Sequence, residues 1–167
     1  AYDRMQAPAR NTVSRGKPLW SLAQAKPAVE FGPVDLPLLM GQIPDELRGS
    51  LYRNGPGRLQ RSGQLVDHWF DGDGGILGIH FSNSNATGLY RYVQTKGFQA
   101  EESANQYLYA GYGQLPPGPL WERWGTELKN AANTSVLALP DKLLALWEGG
   151  NPHALDLETL ETQGLDN

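Results

Sequence analysis

Apolar residues recur at alternate positions in short runs, and clusters of Gly, Pro, Asn and Asp separate the runs, so the chain predicts strands joined by tight turns. The clearest run is 88–95, with Leu89, Arg91, Val93 and Thr95 on one face and Tyr90, Tyr92 and Gln94 on the other. Residues 50–53 predict an earlier strand. It is expected to stop at Asn54-Gly55-Pro56-Gly57, because Asn and Gly tolerate left-handed conformations and Pro cannot donate to a ladder. Between these lies the stretch 65–81, in which one apolar segment enters the polar turn Asp71-Gly72-Asp73-Gly74-Gly75 and a second, 76–81, leaves it. In that turn Asp71 and Asp73 are expected to cap backbone N–H groups while the glycines supply positive φ. Further on, 135–139 and 142–147 predict a hairpin across Pro140-Asp141, 153–157 a third strand and 158–162 a turn, leaving an unfinished four-strand group. Helices are expected at 101–110 and 120–130. Residues 1–41 carry Pro8, Pro18, Pro27, Pro33 and Pro37, which exclude a long helix; they predict a wrapping arm anchored by Trp20 and Phe31, ahead of a main body at 42–167.

Composition sharpens this picture. Among 167 residues, 20 Gly and 12 Pro beside 40% hydrophobic residues favour a turn-rich β protein. The net charge is −4 and the 14 Lys and Arg residues are scattered, so no basic stripe points to nucleic acid. The lack of cysteine excludes disulfides, thiolate metal sites and a cysteine nucleophile. No apolar run approaches the roughly 20 residues that span a bilayer, and the expectation is a cytoplasmic protein, peripheral to a membrane at most. The apolar connection holding Leu115, Leu120, Trp121 and Trp124 is where membrane contact is expected.

The chemistry of known short motifs is missing. A calcium loop starting at Asp71 would need an oxygen ligand where Gly75 stands and a glutamate where Ser82 stands. A dinucleotide fingerprint would need glycine at Leu77. The histidines, His68, His80 and His153, are dispersed and form no metal-ligand pair at helical spacing.

Taken together, Leu51-Tyr52-Arg53-Asn54-Gly55-Pro56-Gly57, then Asp67-His68-Trp69-Phe70-Asp71-Gly72-Asp73-Gly74-Gly75, then Asn133-Thr134 and Trp147-Glu148-Gly149-Gly150 resemble the amino-terminal third of a carotenoid cleavage oxygenase. The resemblance runs from about residue 42 to 167 and is closest to the cyanobacterial apocarotenoid oxygenases. It implies an all-β, seven-bladed β-propeller with short helical insertions, of which this chain holds the first blades. It implies a non-haem iron(II) dioxygenase that splits a carbon–carbon double bond of a carotenoid or apocarotenoid with dioxygen and releases aldehydes such as retinal. By the same resemblance the Fe(2+) is held by four histidines beyond residue 167, none of His68, His80 or His153 is a ligand, and the segment alone is expected to be inactive.

Matching motif positions assigns roles. Glu148 would accept a hydrogen bond from a ligand imidazole and raise its basicity. Thr134 would lie beside the open iron position. Phe70, Tyr112 and Trp147 would line the substrate tunnel, since a polyene has no polar handle along its length and must be held by aromatic surface. Asp71 and Asp73 stay structural. Two other readings remain open: a non-catalytic partial propeller that binds an apolar ligand, and an enzyme of the same fold that cleaves stilbenes. The second would need tyrosine and lysine groups facing the cavity, and no decisive one stands out in the sequence.

Overall fold

The computed structural model describes residues 26–112 and 128–167. Strands β1 (Phe31–Asp35), β2 (Gly49–Arg58), β5 (Asp73–Ser82) and β6 (Asn85–Tyr92) form one antiparallel sheet in the order β1-β6-β5-β2. A second antiparallel sheet runs β10-β9-β8-β7, from β7 (Ser135–Ala138), β8 (Leu143–Leu146), β9 (His153–Leu155) and β10 (Thr162–Leu165). Between them in sequence lie a two-stranded ribbon, β3 (Gln60–Arg61) with β4 (Gln64–Leu65), a 3-10 turn at Trp69–Asp71 and one helix, α1 (Lys96–Ala104). The second sheet is a meander of sequence neighbours, whereas the first combines the β5–β6 hairpin with the non-consecutive pairs β1–β6 and β2–β5.

The core sits where the sheets meet. Ile76 and Leu89 of the first sheet, with Val93, bury themselves against Leu143, Ala145 and Leu155 of the second and against Ala132 and Leu160, with Tyr52 and Val136 at the margin. The edge strands β2 and β7 face each other and are joined by polar bonds. Asn54 Nδ2 donates to the carbonyls of Ala132 (2.8 Å) and Ser135 (3.0 Å), and the Tyr52 hydroxyl donates to that of Leu157 (2.7 Å).

Several sequence expectations are corrected. Strand β2 does not stop at Asn54; it continues to Arg58, pairing Gly55 with Gly75 and Pro56 with Gly74 before a bulge. Proline is tolerated there because β2 is an edge strand, whose outward N–H groups need no ladder partner. The Asp71–Gly75 stretch is not a loop of positive φ: the strand already begins at Asp73, and Gly72 has φ −68°. A side chain on Gly74 would collide with the Ala132 carbonyl and one on Gly75 with the Tyr90 hydroxyl, so these are glycines of close approach. Asp73 does not cap backbone; it is ion-paired to Arg61 and Lys129. The helix begins at Lys96 and ends at Ala104, because the Thr95 hydroxyl oxygen accepts from the Phe98 N–H as N-cap and Asn105 closes the other end in the left-handed region. Residues 153–165 supply two strands, so the second sheet has four. Trp20, most of the expected 120–130 helix, Leu115, Leu120, Trp121 and Trp124 lie outside the described residues. No helix among the described residues is long and apolar enough to cross a membrane.

Candidate functional site

The 3-10 turn presents the first aromatic. Its N-cap is His68, whose Nδ1 accepts from the Phe70 N–H at 3.2 Å, and the ring meets Phe70 edge-on at 4.8 Å. The turn is then stitched to the segment before β7. Asn133 Nδ2 donates to the carbonyls of Phe70 (2.7 Å) and Gly72 (2.6 Å), and the Gly74 N–H donates to Ala131 (2.8 Å). Beyond the turn, Asp71 Oδ1 accepts from the Tyr112 N–H at 2.6 Å, with Gly111 lacking the side chain that would displace the carboxylate. Tyr112 thereby comes within 5.9 Å of Phe70, edge to face.

Trp147 arrives from the other sheet, at the end of β8. Its ring lies over Gly149, where any side chain would meet it. Phe70, Tyr112 and Trp147, separated by tens of residues in sequence, line one cavity of about 180 Å³ together with Tyr109, Leu128 and Ala131. Its exposed surface is mostly apolar although Asp71, Glu101 and Lys129 also border it, so it suits an apolar ligand. Thr134 and Glu148 are not on that wall. They are exposed next to it, hydrogen-bonded to one another through the Thr134 hydroxyl and Glu148 Oε2 at 2.9 Å, and Thr134 is set by its N–H to the Leu146 carbonyl at 3.1 Å. Sequence positions 134 and 148 therefore meet at the end of the β7–β8 hairpin.

A largely buried ion cluster borders the cavity, and Glu101, Tyr107 and Lys129 contribute to its wall. Arg61 is 1% exposed, and its guanidinium bonds Asp73 (2.8 Å) and Glu102 (2.5 Å) while Phe98 and Tyr107 rings flank it. Lys129 Nζ lies 2.8 Å from both Asp73 and Glu101. Glu101, also 1% exposed, turns its other oxygen to the N–H groups of Leu108 (3.0 Å) and Tyr109 (3.3 Å), fixing the backbone of the cavity wall. Burial, followed by the nearby Asp73 carboxylate, pushes the Tyr107 hydroxyl far above its ordinary value, so it stays protonated. Arg61, Glu101 and Lys129 carry no signal in the sequence, and Asn133 is marked there only as part of the Asn133-Thr134 motif, without its role as a double donor. Arg61 sits in a polar run that reads as surface, and only long-range pairing reveals its burial.

The histidines remain apart. His80 Nδ1 shares a 2.7 Å hydrogen bond with the Ser50 hydroxyl, and His153 is buried in β9. No group of three metal-ligating side chains comes together among the described residues. The described residues therefore do not fit an iron ion by themselves.

Comparison with known proteins follows the same lines. A family model described as retinal pigment epithelial membrane protein matches residues 25–167. Apocarotenoid-15,15'-oxygenase of Synechocystis sp. is 41% identical over 131 residues, covering 76% of this chain and 26% of the relative. Resveratrol cleavage oxygenase 1 of Aspergillus fumigatus is 33% identical over 140 residues, covering 84% and 27%. A solved structure of a Synechocystis apocarotenoid oxygenase variant matches at a TM-score of 0.81 with 36% identity, over 89% of this chain and 31% of that one. Solved forms of that enzyme include a cobalt-substituted one and variants at a threonine, a tryptophan and the glutamate following that tryptophan. The chain spans about a quarter of the length of the curated relatives it matches.

Proposed function

The chain belongs to the carotenoid oxygenase family, whose model covers residues 25–167, and from that premise we propose that it is part of a non-haem iron(II) dioxygenase that cleaves a carbon–carbon double bond of an apocarotenoid. Dioxygen is the co-substrate, and two aldehydes, retinal being one, are the products. The observation that carries this reading is the convergence of Phe70, Tyr112 and Trp147 on one apolar cavity beside the Thr134–Glu148 pair. The substituted threonine, tryptophan and glutamate of the Synechocystis enzyme have the same spacings as Thr134, Trp147 and Glu148, which supports the assignment. The complete enzyme is a seven-bladed propeller, and the two sheets described above are blades of it.

In this enzyme iron supplies the dioxygen chemistry and is held by four histidines beyond residue 167. The residues of this chain hold and shield the substrate. The aromatic wall removes the polyene from water, a transfer that costs the ligand no polar contacts. Glu148 accepts the N–H of a ligand imidazole, which fixes the ring's orientation and raises its donor strength. Thr134 would present its methyl toward the iron once that is bound, and its hydroxyl, by donating to Glu148, holds the carboxylate in place.

Stilbene and isoeugenol cleavage belongs to relatives of similar identity. Tyr109 and Tyr112 face the cavity, but the ammonium of Lys129 is already shared between two carboxylates at 2.8 Å and is not free to bind a phenolate. The complete iron-loaded protein, incubated separately with apocarotenals, resveratrol and isoeugenol, is expected to release aldehydes from the apocarotenals. Cleavage of the phenolic substrates alone would contradict the proposal.

A further inference from the structure

A polyene in an aromatic tunnel meets a register problem. Each double bond resembles the next, so apolar contact alone fixes no position along the chain, and the bond that is cut depends on how far the gripping rings stand from the reacting centre. On the reading proposed above, Phe70 and Tyr112 grip the chain while Thr134 and Glu148 stand next to the reacting centre. The distance between these two groups is therefore a determinant of specificity, and one short chain of buried polar contacts spans it.

Asn133 is bonded through the backbone to Thr134. Its side-chain amide donates to the Phe70 and Gly72 carbonyls, at 2.7 and 2.6 Å, and so grips the 3-10 turn on both sides of Asp71. Two carbonyl acceptors on a single atom require an NH2 group, and asparagine is the shortest side chain that offers one. Asp71 continues the chain by accepting from the Tyr112 N–H at 2.6 Å. Both side chains are 7% exposed, so water does not compete for these bonds. The parallel contact of Gly74 N–H with the Ala131 carbonyl prevents the turn from pivoting about Asn133. We infer that Asn133 and Asp71 are positioning residues that fix the tunnel aromatics relative to Thr134 and thereby select which double bond is cleaved. Asn133 is not on the cavity wall and acts only through the turn, whereas Asp71 also borders the cavity beside Phe70 and Tyr112.

The inference rests on the oxygenase reading, and its test is product identity. The complete iron-loaded protein is incubated with one apocarotenal, and the aldehydes are separated by chromatography, with thermal melts to verify folding. Wild type is expected to yield one dominant product pair. Asn133→Ala removes both donations, and since a misplacement of ~1 Å costs on the order of 100-fold in rate, cleavage at the wild-type bond should fall by roughly ten- to a hundred-fold while products of a neighbouring bond appear. Asp71→Ala cuts the chain at its next link and should shift the products in the same way, and Asn133→Asp, which replaces the donating amide with an acceptor at nearly the same volume, serves as the second variant away from the cavity wall. A merely structural role would slow turnover without changing which aldehydes form. An unchanged product pair from a folded variant would overturn the inference and leave the oxygenase reading standing; a wild type that cleaves no apocarotenal would overturn both.

Discussion

His153 shows what a buried titratable group does at the scale of one residue. Desolvation holds its imidazole below the ordinary value, so the folded protein carries it neutral. The unfolded chain binds more protons near pH 6, so this residue's contribution is fully present above the unfolded value of about 6.5 and is lost as pH falls through the depressed folded value. Urea denaturation should show lower stability at about pH 5.5 than at about pH 7.5, and His153→Gln should reduce that difference; an equal pH dependence in the variant would contradict this. Residue identity alone was legible in part. The sequence marks Phe70, Tyr112 and Trp147 as aromatic candidates, and the structure gathers them around one cavity. It marks Gly72, Gly74 and Gly75 as permissive, but for the wrong reason. A glycine needed for φ and a glycine needed for space look alike in one dimension, and only the nearness of Ala132 and Tyr90 separates them.

At the scale of elements, the ribbon β3–β4 looks like a minor excursion, yet it delivers Arg61 to the middle of a charge cluster. The guanidinium meets Asp73 of β5 and Glu101 and Glu102 of α1, so three elements are tied through one side chain. In Arg61→Met, Asp73 and Glu101 would be left with Lys129 alone as a close cation. Such a loss typically costs about 3–5 kcal/mol, and a drop in unfolding free energy from urea denaturation of less than about 1 kcal/mol would show the cluster to be dispensable. The same cluster explains why element boundaries were only partly legible. Strand 88–95 follows a period-two pattern to its end, but β6 stops at Tyr92 and Thr95 becomes the cap of α1, because the side chains of 98 and 101 are required in the buried charge cluster beside the cavity. The turn expected at Asn54-Gly55-Pro56-Gly57 fails for a related reason. Asn54 is needed in line to reach the Ala132 and Ser135 carbonyls, and β2, being an edge strand, accommodates the proline.

For the whole molecule, the strand-turn cadence predicted the class of fold, and the β7–β10 meander is what short alternating runs can build, whereas the β1–β6 and β2–β5 pairs of the first sheet join strands distant in sequence. Which faces would meet was not readable, because the core joins Ile76 and Leu89 to Leu143 and Leu155 across long sequence separations. The site was readable as a set of motifs, while the Asn133 and Asp71 bonds that assemble it were not. On the proposed function, the complete protein divides two tasks, with the aromatic wall serving the substrate and Glu148 serving the metal. Iron content and steady-state kinetics of Phe70→Ala and Glu148→Gln, measured side by side in the complete protein, test that separation most directly. Glu148→Gln should lower iron content or turnover by roughly ten-fold or more, whereas Phe70→Ala should keep its iron and raise KM for the apocarotenal; loss of iron from Phe70→Ala, or full iron and full activity in Glu148→Gln, would contradict the account.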